Sequence, residues 1–332
     1  MKRSLLVFVL VGCGGGGGVD PQQKIVDDMH ASLLAEIRAL KAACVELKAR
    51  APARVWTRAD IDAMKESWGK ARTAYEHIEG AIAPLFPDID AAIDERYDGF
   101  LEGLGPMGDQ NLFDGTGVTG MHGVERILWS DSIPPGVVQI ESALAGYKAA
   151  AFPANDAEAI AFRDQLATQL VADVQQLEDQ WSPAKIDLAG AYQGLVDLMR
   201  EQREKVNNAA DNLEESRYAQ CTMRDLRDNL AGTKTIYALF QPWLKSKTGG
   251  PELDGRISAG FDAVAAAYAD VSGDAIPAPP STWSAEMPSA ADLQTPFGQL
   301  YTKVRAATDL AAEASVVKQL QDAGKVMGFG GP

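Results

Sequence analysis

The chain has 332 residues, 46% hydrophobic and 23% charged, enough for one large or two modest cores of ordinary globular composition. Its 46 acidic residues against 31 basic ones give a formal net charge of −15. That balance excludes a nucleic-acid partner, whose phosphates require clustered Lys and Arg, and it suits a protein that gathers cations.

The first segment reads as a leader. Lys2 and Arg3 form a positive n-region and Leu5 to Val11 a short apolar core, well under the roughly 20 apolar residues needed to cross a bilayer. Its end, Leu10-Val11-Gly12-Cys13, resembles the lipobox of bacterial lipoproteins, in which cleavage precedes a cysteine that is then acylated. On this reading residues 1–12 are a signal peptide. Residues 13–21 are the lipidated Cys13 and a glycine-rich tether, Gly14 to Gly18. An ordinary signal peptide with a chance cysteine is the alternative. Glycine rather than aspartate after the cysteine fits sorting to the periplasmic side of the outer membrane of a bacterial envelope. Export implies an oxidising compartment, in which Cys44 and Cys221 could pair, although nothing in the sequence brings them together. Neither lies in a C-x-x-C pair, which argues against a thiolate metal site.

Helical periodicity then dominates. From Gln22 to Arg50 the apolar series Ile25, Met29, Leu33, Ile37, Leu40, Cys44, Leu47 steps by three or four, and Pro52 ends it. Thr57 is an N-cap with Asp60 three residues on. The next stripe is Ile61, Met64, Trp68, Ala71, Tyr75, Ile78, Ile82. Pro84 and Pro87 break that helix, and Asp88 to Asp94 opens another. A polar, glycine-rich loop from Gly103 to Gly120 is long enough to suggest a function. Beyond Pro134 and Pro135, helices are expected over 137–151, 156–181, 186–209, 213–244, 251–272, 290–308 and 310–326, with a proline-rich turn at 276–280. No alternating run of strand length occurs outside the leader. The expected fold is all-α, two antiparallel helical bundles packed side by side within 22–332: bundle one about 22–209, bundle two about 210–332.

The chemistry concentrates in two places. In Gly120-Met121-His122-Gly123-Val124-Glu125-Arg126-Ile127-Leu128-Trp129, His122 and Glu125 stand three apart and share a helical face. Upstream, Glu76 and Glu79 have the same spacing. On a continuous helix Glu79 falls about 40° from Tyr75, inside the apolar stripe, while Glu76 lies at its edge and His77 points outward. A carboxylate in a core stripe must be paired, hydrogen-bonded or bound to a metal. The bland reading is a buried salt bridge to Arg72 or Arg126. The sharper one joins His122, Glu125, Glu76 and Glu79 around a metal, with Asp90 or Asp94 adding a further acid. Such a set suits iron, zinc or manganese and lacks the soft ligands of Cu(I); it also echoes the Glu-x-x-His sites inside four-helix bundles, in reversed order. A protease would need H-E-x-x-H or H-x-x-E-H, and Arg126 stands where the second histidine of the latter belongs. Metal binding is therefore expected rather than peptide hydrolysis.

Three blocks resemble the imelysin-like family, and within it the periplasmic iron-uptake branch (EfeO-like or EfeM-like). They are Trp68 to Asp94, with Tyr75-Glu76-His77-Ile78-Glu79 and Asp88-Ile89-Asp90-Ala91-Ala92-Ile93-Asp94; Gly120 to Trp129, as Gly-x-His-x-x-Glu-x-x-Leu-Trp; and Arg217 to Gly232, followed by Pro242. The resemblance implies an all-helical fold of two bundles, a metal at His122 and Glu125 with Glu76 and Glu79, and less directly Asp90 or Asp94. It implies iron as cargo, with zinc, manganese or copper as alternatives, and an inner- or outer-membrane permease as recipient. The third block has Tyr218-Ala219-Gln220-Cys221-Thr222 where the family often has Tyr-Ser-His-Thr-Asp, which leaves Asp225 and Asn229 as its candidate site residues. The copper-binding cupredoxin domain that many such relatives carry is not in this sequence. A metallopeptidase of the envelope, or a structural lipoprotein with a buried ion-pair cluster, are the competing expectations.

Overall fold

The computed structural model describes residues 20–329. The expected signal peptide, Cys13 and Gly14 to Gly18 lie outside the described residues.

Helix α1 (Pro21–Arg50) is capped by Asp20, whose side chain accepts the Gln22 N–H, and has proline at a first-turn position that needs no donor. Its expected stripe from Ile25 to Leu47 is buried. Helix α2 (Arg58–Glu76) opens with the Thr57–Asp60 capping box. It stops at Glu76, earlier than its apolar stripe suggests. His77 and Ile78 form a turn, and α3 (Glu79–Leu85) begins with Glu79. Proline keeps α3 short, and α4 (Pro87–Asp94) follows at once. Next come α5 (Tyr97–Leu104), α6 (Gly120–Leu128) and α7 (Pro135–Glu141). Helix α8 (Asp156–Ala161) runs through a wider turn into α9 (Ala167–Trp181). The second half contributes α10 (Leu188–Asn207), α11 (Thr222–Lys245), α12 (Gly250–Ala269), α13 (Pro296–Thr308) and α14 (Val316–Met327).

Among the described residues all regular structure is helical, as expected. Helix α1 packs along α2 and α9, and α12 packs along α11, α13 and α14. Helix α10 lies between, against α3 on one side and α11, α13 and α14 on the other. The halves also meet where α11 crosses α1 and α2. One apolar core runs through both, from Met29, Trp68 and Trp181 to Phe240, Phe261 and Leu320. Gly232 of α11 lets the seam close: a Cβ there would sit 2.3 Å from the His77 carbonyl oxygen in the turn between α2 and α3. No described helix is long and apolar enough to cross a membrane.

Several expected helices are shorter than their patterns; those placed from 290 and 310 begin at Pro296 and Val316. The one placed at 137–151 ends at Glu141, because the backbone near Lys148 serves other partners: its N–H donates to Tyr97 Oη and its carbonyl accepts from Arg126. The one placed from 213 starts at Thr222. Residues 213–221 stay irregular because their amides turn toward side chains, Ser216 N–H to Thr222 Oγ1 and Tyr218 and Ala219 N–H to Glu125. Cys44 and Cys221 are both buried and both free, so the structure has no bridge between them.

Candidate metal centre

The seam between the halves holds a buried polar cluster. It is built from the end of α2, the start of α3, the end of α4, the first turn of α6, the irregular 213–221 segment, α10 and α11.

Helix α6 is set against α4 by Gly120, at φ +70°, where a Cβ would stand 2.7 Å from the Ile93 carbonyl oxygen and 2.9 Å from that of Ala92. Trp68 of α2 fixes the same turn: its Nε1–H donates to the Met121 carbonyl at 3.0 Å, and its ring meets Trp129 edge to face at 5.1 Å. This tight seating buries His122 to 1% exposure.

His122 Nδ1 lies 2.7 Å from Glu125 Oε2. The other oxygen of Glu125 accepts the N–H of Tyr218 at 3.0 Å and of Ala219 at 2.8 Å. Glu125 is therefore fully engaged, and it fixes the imidazole plane. His122 Nε2 is buried and has no hydrogen-bond partner. It faces Asp94 Oδ1 at 3.4 Å, and Asp94, His122 and Glu215 each offer a ligand atom within 4.8 Å of the others. One imidazole nitrogen and two carboxylates from separate elements thus converge on a point. That is the geometry of a small oxygen-rich cation site.

Cations already hold part of this space. Arg72, wholly buried, pairs with Glu76, Asp94 and Glu215 and comes within 3.8 Å of Asp225. Glu215 also meets Arg96 at 3.1 Å and Lys205 at 3.3 Å. Lys205 pairs with Glu79 at 2.9 Å. Asn229 donates to Glu76 and to Glu79 Oε2, Tyr75 Oη donates to Asp90 at 2.6 Å, and Ser216 Oγ donates to Asp225. The carboxyl groups outnumber the cations.

Protonation follows from that excess. Burial, helped by the Arg72 charge, holds the His122 imidazole well below its ordinary range, so it is neutral and able to ligate. Burial pushes the Glu125 carboxyl up to about 8 against the pull of the Ala219 N–H, and raises Asp94 well above the usual range against the pull of Arg72. Burial also acts on Glu215, but Lys205, Arg96 and Arg72 outweigh it and hold that group as a carboxylate. Asp90 and Asp225 are raised by burial to about 6. A buried set with more acids than bases is completed by protons or by a cation.

The cluster opens to solvent through a cleft of about 410 Å³ whose lining includes Glu79, Asp90, Asp94, Glu201 and Glu215, with Lys205 and Arg96 as its bases. The entrance is thus predominantly acidic, which raises the local concentration of cations.

The structure sorts the residues expected at the site. His122 and Asp94 face the convergence point. Glu125 touches His122 but presents no free oxygen to that point. Glu76, Glu79, Asp225 and Asn229 form the surrounding ion-pair and hydrogen-bond shell, and Asp90 lies at the cleft. The helical argument for Glu79 does not hold, because the helix breaks between it and Glu76; Glu79 is only partly buried, where α3 packs on α10. The salt bridge to Arg72 that competed for Glu76 is present, while Arg126 turns elsewhere: it pairs with Glu141 at 3.0 Å, donates to the Lys148 carbonyl and stacks 3.8 Å over Tyr97. His77, expected to be solvated, is partly covered, 3.5 Å from Glu36. Sequence reasoning missed Glu215, Lys205 and the two amides that hold Glu125. Glu214-Glu215, just ahead of Arg217, was the available signal, hidden by the helical reading of 213–221.

Comparison with known proteins agrees with this architecture. The imelysin family pattern (Peptidase_M75, Imelysin) matches residues 26–318. The chain is 29% identical over 210 residues to proteins named iron uptake system component EfeO from Escherichia coli K12 and Shigella flexneri, a match covering 62% of this chain and 44% of those proteins. It thus spans less than half the length of the curated relatives it matches. A solved structure described as an iron-regulated protein A precursor, from Parabacteroides distasonis, superposes with a TM-score of 0.51 at 12% identity, covering 96% of each chain, which shows a common fold.

Proposed function

The chain belongs to the imelysin family, and on that premise we propose that it is a metal-binding component of an iron-uptake system in a bacterial cell envelope. One iron ion is held between His122 Nε2, Asp94 and Glu215, and Glu125 orients the imidazole.

The observation that carries this reading is the unpartnered Nε2 of a buried, neutral histidine set opposite two carboxylates. A buried ring nitrogen without a partner is costly in a structural core and is what a metal ligand requires. The carboxylate–imidazole pairing of Glu125 with Nδ1 is the arrangement that fixes tautomer and ring direction for a bound metal. The oxygen-rich donor set favours iron, with zinc, manganese or copper as alternatives, and the iron-uptake names of the relatives favour iron among them. The lipobox-like Leu10 to Cys13 supports a lipid anchor at Cys13 that holds the helical domain on the periplasmic side of the outer membrane. A membrane permease is the proposed recipient.

Equilibrium titration of the metal-free protein with Fe(II), Zn(II) and Mn(II) tests the reading. Binding of one ion with loss in His122→Ala and Glu215→Gln is expected; equal binding by both variants and wild type overturns it. The dense ion pairing around Arg72 favours one competing reading, a purely structural charge cluster. In that case added metal leaves the melting temperature unchanged, since an ion that binds only the native state must raise it.

A further inference from the structure

Among the described residues Arg72 is the one cation that touches both carboxylates facing His122. Its Nη1 holds Asp94 through Oδ1, the same oxygen that stands 3.4 Å from His122 Nε2. Its Nη2 holds Glu215 through Oε1 at 3.2 Å, while the other oxygen of Glu215 is taken by Arg96 and Lys205. The oxygens on which an ion beside Nε2 would land are therefore already hydrogen-bonded to fixed positive groups. A buried guanidinium cannot shed its charge. With no exposed surface and with Glu76 on the next turn of its own helix as a further partner, this one has no route to solvent.

Resting on the metal reading above, we propose that Arg72 is a resident counter-cation that competes with the bound ion for Asp94 and Glu215, so that the site holds its cargo reversibly. Two effects give this competition. The incoming ion must displace or share hydrogen bonds that Arg72 makes in the metal-free protein, and in the bound state it remains near an unscreened positive charge in a water-poor interior. The same residue keeps the empty site ordered, since it ties Asp94 and Glu215 to one fixed group. A tight, permanent metal site would use the space differently: its carboxylates would be steadied by neutral donors, as Glu125 is by the Tyr218 and Ala219 amides. Arg72 is a positioning residue that sets affinity.

Competition against a chromophoric chelator, with Zn(II) as a redox-silent ion and Fe(II) without oxygen, measures affinity and release rate. Arg72→Gln is expected to bind about tenfold or more tightly and to release its ion to the chelator correspondingly slowly, whereas Arg72→Lys, which keeps the charge but not the two-armed contact, falls between that variant and wild type. Unchanged or weaker binding by a folded Arg72→Gln, in a protein whose wild type binds metal, overturns the inference and leaves the metal site standing. Absence of binding by the wild type defeats the metal reading itself. Should Arg72→Gln fail to fold by circular dichroism, Arg72→Gln/Glu76→Gln removes the ion pair without changing net charge. Tighter binding by that variant supports competition, and equal or weaker binding refutes it.

Discussion

Glu125 Oε2 stands 2.7 Å from His122 Nδ1, and this contact decides which imidazole nitrogen is left for a ligand. Because the other Glu125 oxygen is taken by two backbone amides of the 213–221 segment, the carboxylate cannot swing away, and Nε2 is the nitrogen that faces Asp94 and Glu215. Loss of this orienting contact should therefore weaken binding without abolishing it. Glu125→Gln is expected to lower metal affinity by about 10–100-fold, the usual cost of losing an outer carboxylate on a metal-bound histidine, while His122→Ala loses the site. Isothermal titration of the two variants side by side checks the difference.

The proton on this pair gives a pH dependence of binding. In the metal-free protein Glu125 keeps its proton up to about pH 8, whereas a bound ion requires Nε2 free and Glu125 ionised. Binding thus releases a proton below that pH. Affinity should rise by at least about tenfold per pH unit between pH 6.5 and 8, because Asp94, whose carboxyl burial also raises, must ionise to ligate as well. Proton release measured in two buffers of different ionisation enthalpy checks the mechanism; a flat profile contradicts it.

The same group bears on the stability of the metal-free protein. A carboxyl whose pKa is raised in the folded state leaves the native protein binding more protons than the unfolded chain, so stability falls as pH climbs from its ordinary value of 4.5 toward about 8. The depressed His122 acts only below about pH 6.5, where the unfolded imidazole takes up a proton. Asp94 and Glu76, whose carboxyls burial also raises, act in the same direction, and between pH 6.5 and 8 the Glu125 share amounts to about 2 kcal/mol at most. Melts of wild type and Glu125→Gln across that window should show a decline that the variant makes shallower.

The helical class, the first two helix starts and the burial of His122 were legible in the sequence, because periodicity, the Thr57 capping box and a lone histidine in an apolar block are local signals. The proposed ligand set was only half legible. Glu76 and Glu79 looked like ligands because a carboxylate in an apolar stripe requires a partner, but spacing cannot say whether that partner is a metal or a base. Here Arg72 and Lys205 supply it. Glu215 was hidden because the apolar pattern of 213–221 reads as helix, while the amides of that segment are drawn to a carboxylate some ninety residues away in the chain. Such long-range competition leaves no trace in periodicity.

Gly120 links packing to the site. A methyl group at its positive φ would press on the carbonyls of Ala92 and Ile93 and push α6 away from α4. Gly120→Ala is expected to cost at least about 1 kcal/mol of stability and to weaken metal binding by parting His122 from Asp94. Chemical denaturation together with a metal titration checks both. Gly103→Ala, where a Cβ meets nothing within 4 Å, serves as the control.

The central claim is tested most directly by anomalous diffraction from crystals of the protein loaded with zinc or iron. A single strong peak about 2.0–2.1 Å from His122 Nε2, the ordinary zinc–imidazole distance, is expected, with oxygens of Asp94 and Glu215 completing the contact. A peak elsewhere in the acidic cleft, or no peak with Arg72 still closed on Asp94 and Glu215 at saturating metal, would contradict it.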